Sequence, residues 1–263
     1  MINPSLALTL LGGSASGGSS TAGDPAAAIT ALRLAEAPGA ETKGVAQEQK
    51  DPVTITALKQ FQAAVKGART VQQALSDPRV LNVLLPALGL ADQVSYPGLV
   101  KQALTADPSA SKGLLAALDS RFKAAAQTLD LKNKGLAGLQ DPEVIKKLSD
   151  GYVTYQYQQG LDKQNPGISD ALYFVENAAA NANVYTILGN AVLRRVVTGA
   201  LGLPAEIAVQ PVETQARAIT SRLDLAKLSD PKEKERLAER YVLAQAQKAG
   251  GGTAASPLLS LFA

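Results

Sequence analysis

The chain has no histidine, no cysteine and no tryptophan among its 263 residues. Without imidazole it lacks the usual base of a serine triad, the commonest metal ligand and the one side chain that ordinarily titrates near neutrality. Without thiols it can hold no disulfide, no thiolate metal site and no cysteine nucleophile. Enzymatic chemistry is left with carboxylates or a Ser/Lys pair, and no catalytic, cofactor-binding or metal-binding residues are assigned. A large excess of one charge sign is also missing: 26 basic and 23 acidic residues, well interspersed, give a net charge of +3, too small for a nucleic-acid surface. Long apolar runs are missing too. The opening "MINPSLALTLLGG" has no basic residue before Arg33, and its "LALTLL" is too short for a signal core or a membrane span, so neither a cleavable signal peptide nor a spanning helix is expected. Gly12–Gly23 is Gly, Ser, Ala and Thr, a composition that cannot offset its chain entropy, and is expected to be disordered.

What is present is aliphatic. Hydrophobic residues make up 46% of the chain and aromatics only 4%, which favours close-packed helices with small side chains. Six Asp-Pro pairs, at Asp24, Asp51, Asp77, Asp107, Asp141 and Asp230, each read as a helix start. Asp accepts from the first free amides, and Pro has none to waste. After Asp51, Ile55, Leu58, Phe61, Ala64 and Val65 form one stripe. Further helices are expected near residues 78–88, 97–105, 112–129, 142–160, 168–181, 184–200, 211–225 and 231–248, with a weaker one at 26–37 and a linker at 38–50. In the 112–129 helix Leu114, Leu115, Leu118, Phe122, Ala125 and Leu129 share a face, and Asp119, Arg121 and Lys123 point elsewhere. The fold class is all-α: a low-complexity segment (1–50), a first helical unit (51–160), a second (161–249) and a flexible tail (250–263).

The word "ALGL" occurs twice, at Ala87, Leu88, Gly89 and Leu90 and again at Ala200, Leu201, Gly202 and Leu203. The ungapped shift that superimposes the two words also pairs Leu75 with Leu188, Asp77 with Asn190, Val80 with Leu193, Val83 with Val196 and Leu84 with Val197. A second block, "LQDPEVIKKLSDGYVTYQYQ" from Leu139, aligns with "LSDPKEKERLAERYVLAQAQ" from Leu228 and pairs Tyr152 with Tyr241. Two blocks in the same order predict an internal duplication. Each ALGL glycine is expected to stop a helix in the left-handed conformation. Leu88 and Leu201, like Tyr152 and Tyr241, are expected at equivalent, largely buried positions.

Three motifs bear on chemistry. Ser109 to Lys112 spell S-x-x-K, but the companion S-D-N and K-T-G elements of acylating hydrolases are missing. "GGSASGG" has no following Lys-Ser/Thr and no preceding strand, so it is not read as a phosphate loop. The cluster of Tyr152, Tyr155, Tyr157, Tyr173, Phe174 and Tyr185 reads as core between packed helices, with Tyr155 or Tyr157 able to line a partner groove.

The stretch "GISDALYFVENAAANANVYTILGNAVLRRVVTGALGLP", continuing to "LDLAKLSDPKEKERLAERYV", resembles the alphaproteobacterial family known as domain of unknown function 1217. The first half, in "SDPRVLNVLLPALGLADQVSYPGLVKQAL" and "GYVTYQYQQGL", is similar to it as well. The resemblance covers roughly residues 61–248 and implies association with bacterial flagella, with no catalytic residues and no cofactor. The expected function is a non-enzymatic structural or assembly protein of the flagellar basal body or hook region. Its partners would be flagellar proteins or export machinery, bound through helical surfaces, and its uncleaved, Ser-rich start suits the flagellar type III export route. The alternative is a cytoplasmic adaptor or chaperone for flagellar export. A hydrolase built on Ser109 and Lys112 is the third reading.

Overall fold

A computed structural model describes residues 23–250, and among them the structure is helical without a strand. The described residues begin with α1 (Pro25–Glu36) and α2 (Ala40–Glu48). It continues through α3 (Pro52–Gly67), α4 (Val71–Ala74), α5 (Pro78–Ala87), α6 (Pro97–Leu104), α7 (Leu114–Ala117), α8 (Ser120–Leu129), α9 (Leu131–Lys134) and α10 (Leu136–Gln140). The 23-residue α11 (Pro142–Gln164) leads into α12 (Ile168–Asn177), α13 (Val184–Leu188), α14 (Ala191–Ala200), α15 (Val212–Thr220) and α16 (Pro231–Ala249).

Capping chemistry sets most of these starts. Asp24, Asp51, Asp77, Asp141 and Asp230 each accept a backbone N–H of the first turn and are each followed by Pro. Asp107 does not start a helix; its carboxylate takes the amide and hydroxyl of Ser109 in a turn instead.

The apolar side chains gather into two cores. One is built around Phe61, Leu84, Leu104, Phe122, Leu139 and Tyr152, and the other around Leu32, Ile168, Phe174, Leu193, Val197 and Tyr241. The 23 residues of α11 run roughly 34 Å at the helical rise. Its Leu148 and Tyr152 lie in the first core, while Leu161 packs against the second. Helix α1 belongs to the second core although it precedes the first in sequence: Ala28, Leu32 and Ala35 form a stripe laid on α12 and α16.

Several expectations need correction. Residues 38–50 are not a linker, because α2 lies there and packs against α11. It has no apolar stripe to betray it; it approaches through Gly44, where a Cβ would fall 2.1 Å from the Tyr157 ring. The 112–129 helix is two helices, α7 and α8, broken where Asp119 caps the second. The 184–200 helix is likewise broken, between α13 and α14, by the Asn190 cap. The 168–181 helix ends at Asn177, and the 211–225 helix ends at Thr220. The expected disorder of Gly12–Gly23 and the flexible tail lie, apart from Gly23 and Gly250, outside the described residues.

The two ALGL words stop their helices with the same hydrogen bonds. Leu90 N–H donates to Leu85 O (2.8 Å) and Gly89 N–H to Pro86 O (3.0 Å); Leu203 N–H donates to Thr198 O (2.9 Å) and Gly202 N–H to Gly199 O (3.1 Å). Gly89 and Gly202 sit at φ of 70° and 62°, the left-handed stop of a Schellman motif. The helix before each word packs on the helix of the Tyr-Val block, α5 on α11 and α14 on α16.

Candidate functional site

The ALGL and Tyr residues themselves are mostly packing groups. Ala200, Leu90, Tyr152 and Tyr241 are buried, Ala87 and Leu203 partly so, and Gly89 and Gly202 are exposed. Leu88 and Leu201 are only half-buried, contrary to expectation, because the Schellman turn folds the leucine after the glycine, not the one before it, onto the helix. The two tyrosines differ in chemistry. The Tyr152 hydroxyl accepts from Gln156 Nε2 (2.6 Å), whereas the Tyr241 hydroxyl donates to Asp170 Oδ2 (2.7 Å).

That difference leads to a polar seam between the two cores. Asp119, the N-cap of α8, accepts Arg121 N–H through Oδ1 and, through Oδ2, the N–H of Ala191, the first residue of α14 (2.9 Å). Ser120 N–H also donates to Gly189 O (3.3 Å). One carboxylate thus serves two helix N-termini, whose partial positive charges both favour it. Arg121 lies against it: Nε and Nη2 bond Asp119, while Nη1 and Nη2 bond Asp92 at 3.0 and 3.1 Å. The same guanidinium donates to Gly89 O, so the first ALGL stop is tied into the seam. Burial alone would lower the Arg121 pKa, but its hydrogen bonds to Asp119 and Asp92 outweigh that and raise it. Asp92, for which burial acts upward, is held below the usual carboxylate range by Arg121.

On the other side, Asp170 of α12 takes Arg195 of α14 in two bonds (2.6 and 2.7 Å) together with the Tyr241 hydroxyl from α16. The Asp170 bond pushes the Arg195 pKa up, and burial followed by the Asp170 charge pushes the Tyr241 phenol up. Asp162, near the end of α11, accepts the Ser169 amide and hydroxyl in the first turn of α12; burial raises its pKa despite those bonds. Asn190 donates to the Tyr173 hydroxyl (3.0 Å). A cleft of about 430 Å³ runs along the seam and is lined by Asp92, Arg121, Asp162, Ser169, Asp170 and Arg195. Every one of those charged groups is engaged by a partner in the chain. Such an arrangement clamps helices and leaves no free nucleophile beside a free base.

None of these seam residues is legible as a site in the sequence. Asp119 and Arg121, expected to point away from the apolar face of a 112–129 helix, have side chains only 16% and 10% exposed. Their signal was the Asp before a Ser-Arg helix start, which marks a cap and not its second client. Ser109 and Lys112 sit exposed in a turn, with Ser109 spent on Asp107. Tyr155 lines the seam cleft, and Tyr157 meets α2 and the α1–α2 turn, so both face the chain's own elements. Tyr185 is 56% exposed and lies outside the core. Among the described residues no group of three or more acidic side chains is placed to hold a metal ion, and no helix is long and apolar enough to cross a membrane.

A search of the curated proteins finds no match. The fold is shared with the X-ray crystal structure of a protein from Agrobacterium tumefaciens, at a TM-score of 0.67 and 20% identity over 90% of this chain and 98% of that one. The sequence profile of a family described as protein of unknown function (DUF1217) matches residues 87–233, from the first letter of the first ALGL to the first turn of α16. More than half of the chain lies within that match, and the chain belongs to this family.

Proposed function

We propose that the protein is a non-enzymatic structural or assembly component of the bacterial flagellum that binds protein partners through its helical surfaces. The observation that carries the non-enzymatic part is the consumption of the seam's charged groups by one another, which suits a scaffold and not a catalyst. Large apolar side chains stand outside the cores in the segment that follows the first ALGL stop, with Val94 43% and Tyr96 60% exposed. Apolar exposure of this kind supports protein binding. The flagellar setting rests on the family resemblance alone. Within this reading the two cores descend from one duplicated unit, supported by the matching Schellman bonds and by the α5–α11 and α14–α16 pairings.

A deletion strain tests it. The expected result is impaired swimming with flagellar assembly halted at a definable stage, and the protein recovered in purified hook-basal bodies or culture supernatant. Retention in the cytoplasm together with export substrates would turn the reading to the adaptor. Normal motility and assembly would remove the flagellar assignment altogether.

A further inference from the structure

We propose that a groove beside the second ALGL stop is the docking site for the chain's own apolar stretch Leu258–Phe262. The inference stands apart from the flagellar reading. The groove, about 520 Å³, has Leu203, Pro204, Ile207 and Ala208 along one side, Gln245 and Lys248 of α16 along another, and the charged Arg194 and Arg195 of α14 in its lining. The two halves of the molecule differ here. Leu90, the last letter of the first ALGL, is fully buried, whereas Leu203 is only partly buried and Val209 beside the groove is 84% exposed. The second stop therefore lacks the cover that the first one has, and an apolar filler would complete it.

The chain supplies one at the right place. Helix α16, which contributes one side of the groove, ends at Ala249. Its exit is held: Gly250 N–H donates to Ala246 O (2.9 Å), and Gly250 packs on Gly23 so closely that a Cβ on Gly23 would lie 2.7 Å from its Cα. Residues 251–257, "GGTAASP", have no charge and no large side chain; extended they reach roughly 25 Å, and Lys248, two residues before Gly250, already lines the groove. Pro257 opposes a straight helical continuation that would carry the following residues away along the α16 axis. Leu258, Leu259, Leu261 and Phe262 then put four large apolar groups into five positions without a charge. A tether this short sets a local concentration on the order of millimolar, which favours the chain's own stretch over that of a second copy.

The absence of cysteine makes the test clean. In the full chain, Ala208→Cys with Ser260→Cys forms one pair, and Ser109→Cys with Ser260→Cys is the control. In a glutathione redox buffer at micromolar protein, the groove pair is expected to close within one chain at least tenfold faster than the control, read by mass spectrometry. Adding Ile207→Arg is expected to bring it to the control rate. Equal rates for the two pairs overturn the proposal, and so does a disulfide between chains, which would hand the groove to a second copy. Should Ile207→Arg unfold the protein, hydrogen exchange decides: ending the unsubstituted chain at Gly250 is expected to speed exchange at residues 203–209, and unchanged exchange there overturns the proposal.

Discussion

At the residue scale, single carboxylates carry unequal burdens. Glu36, at the end of α1, has a buried Oε1 without a partner, and burial together with Glu235 and Glu239 raises its pKa against the opposing charge of Arg33. A carboxyl whose folded pKa is raised destabilises the fold while ionised, and the penalty fades as pH falls toward its ordinary value. Glu36→Gln is therefore expected to melt higher than the parent near pH 7, with the two converging on acidification; a difference constant with pH would refute this. Asp119 acts the other way. Its replacement by Ala removes an α8 cap, an α14 amide partner and one of the two carboxylates on Arg121, whose side chain is 10% exposed. Breaking such a pair from one side is expected to cost on the order of 3 kcal/mol, measured by urea unfolding. The cap role was not read, because one helix was expected to run through Asp119 from 112 to 129. Nor was the second role, because residue 191 lies far along the chain and only folding brings its amide to Asp119.

At the element scale, glycines decide how closely the paired helices approach. A Cβ on Gly151 of α11 would lie 2.8 Å from Ala87 O in α5, and one on Gly199 of α14 would lie 2.7 Å from Cδ2 of Tyr241 in α16. Gly202 meets nothing within 4 Å and is restricted by its φ of 62° alone. Gly202→Ala is thus expected to cost about 1 kcal/mol through backbone strain, and Gly151→Ala more, about 1–3 kcal/mol, because backbone must shift. Thermal melts that reverse this order would count against the α5–α11 crossing. Five of the six Asp-Pro caps and the ALGL stops could be read in advance because each depends on neighbours within a turn. Helix α2 could not, since its contact is a glycine against a tyrosine more than a hundred residues away, and a missing side chain leaves no periodic signature. The same holds for α1, whose stripe was visible but whose partners α12 and α16 were not. Removing residues 1–22 is expected to leave the melting temperature unchanged, while removing 1–38 strips Leu32 from the second core and lowers it.

At the scale of the whole molecule, two cores are joined by α11 and by the Asp92, Arg121 and Asp119 clamp. Helix α1 then straps residues 25–36 onto the later core. Unfolding is expected to be a single transition in the parent protein, with circular dichroism and tyrosine fluorescence coinciding, and to separate into two in Asp119→Ala. Coincident transitions in that variant would mean that α11 alone couples the cores. By itself the sequence determined that the molecule is all-helical, where most of its helices begin, and that the usual imidazole and thiol chemistry is closed to it. Those properties follow from composition and from contacts within a turn or two. Only the tertiary structure decided that α1 belongs to the second core, that one aspartate caps one helix and clamps another, and that the two ALGL stops, alike in their hydrogen bonds, differ in what covers them. Those outcomes depend on which distant surfaces meet, and the pattern of a single segment is the same whichever surface it finds.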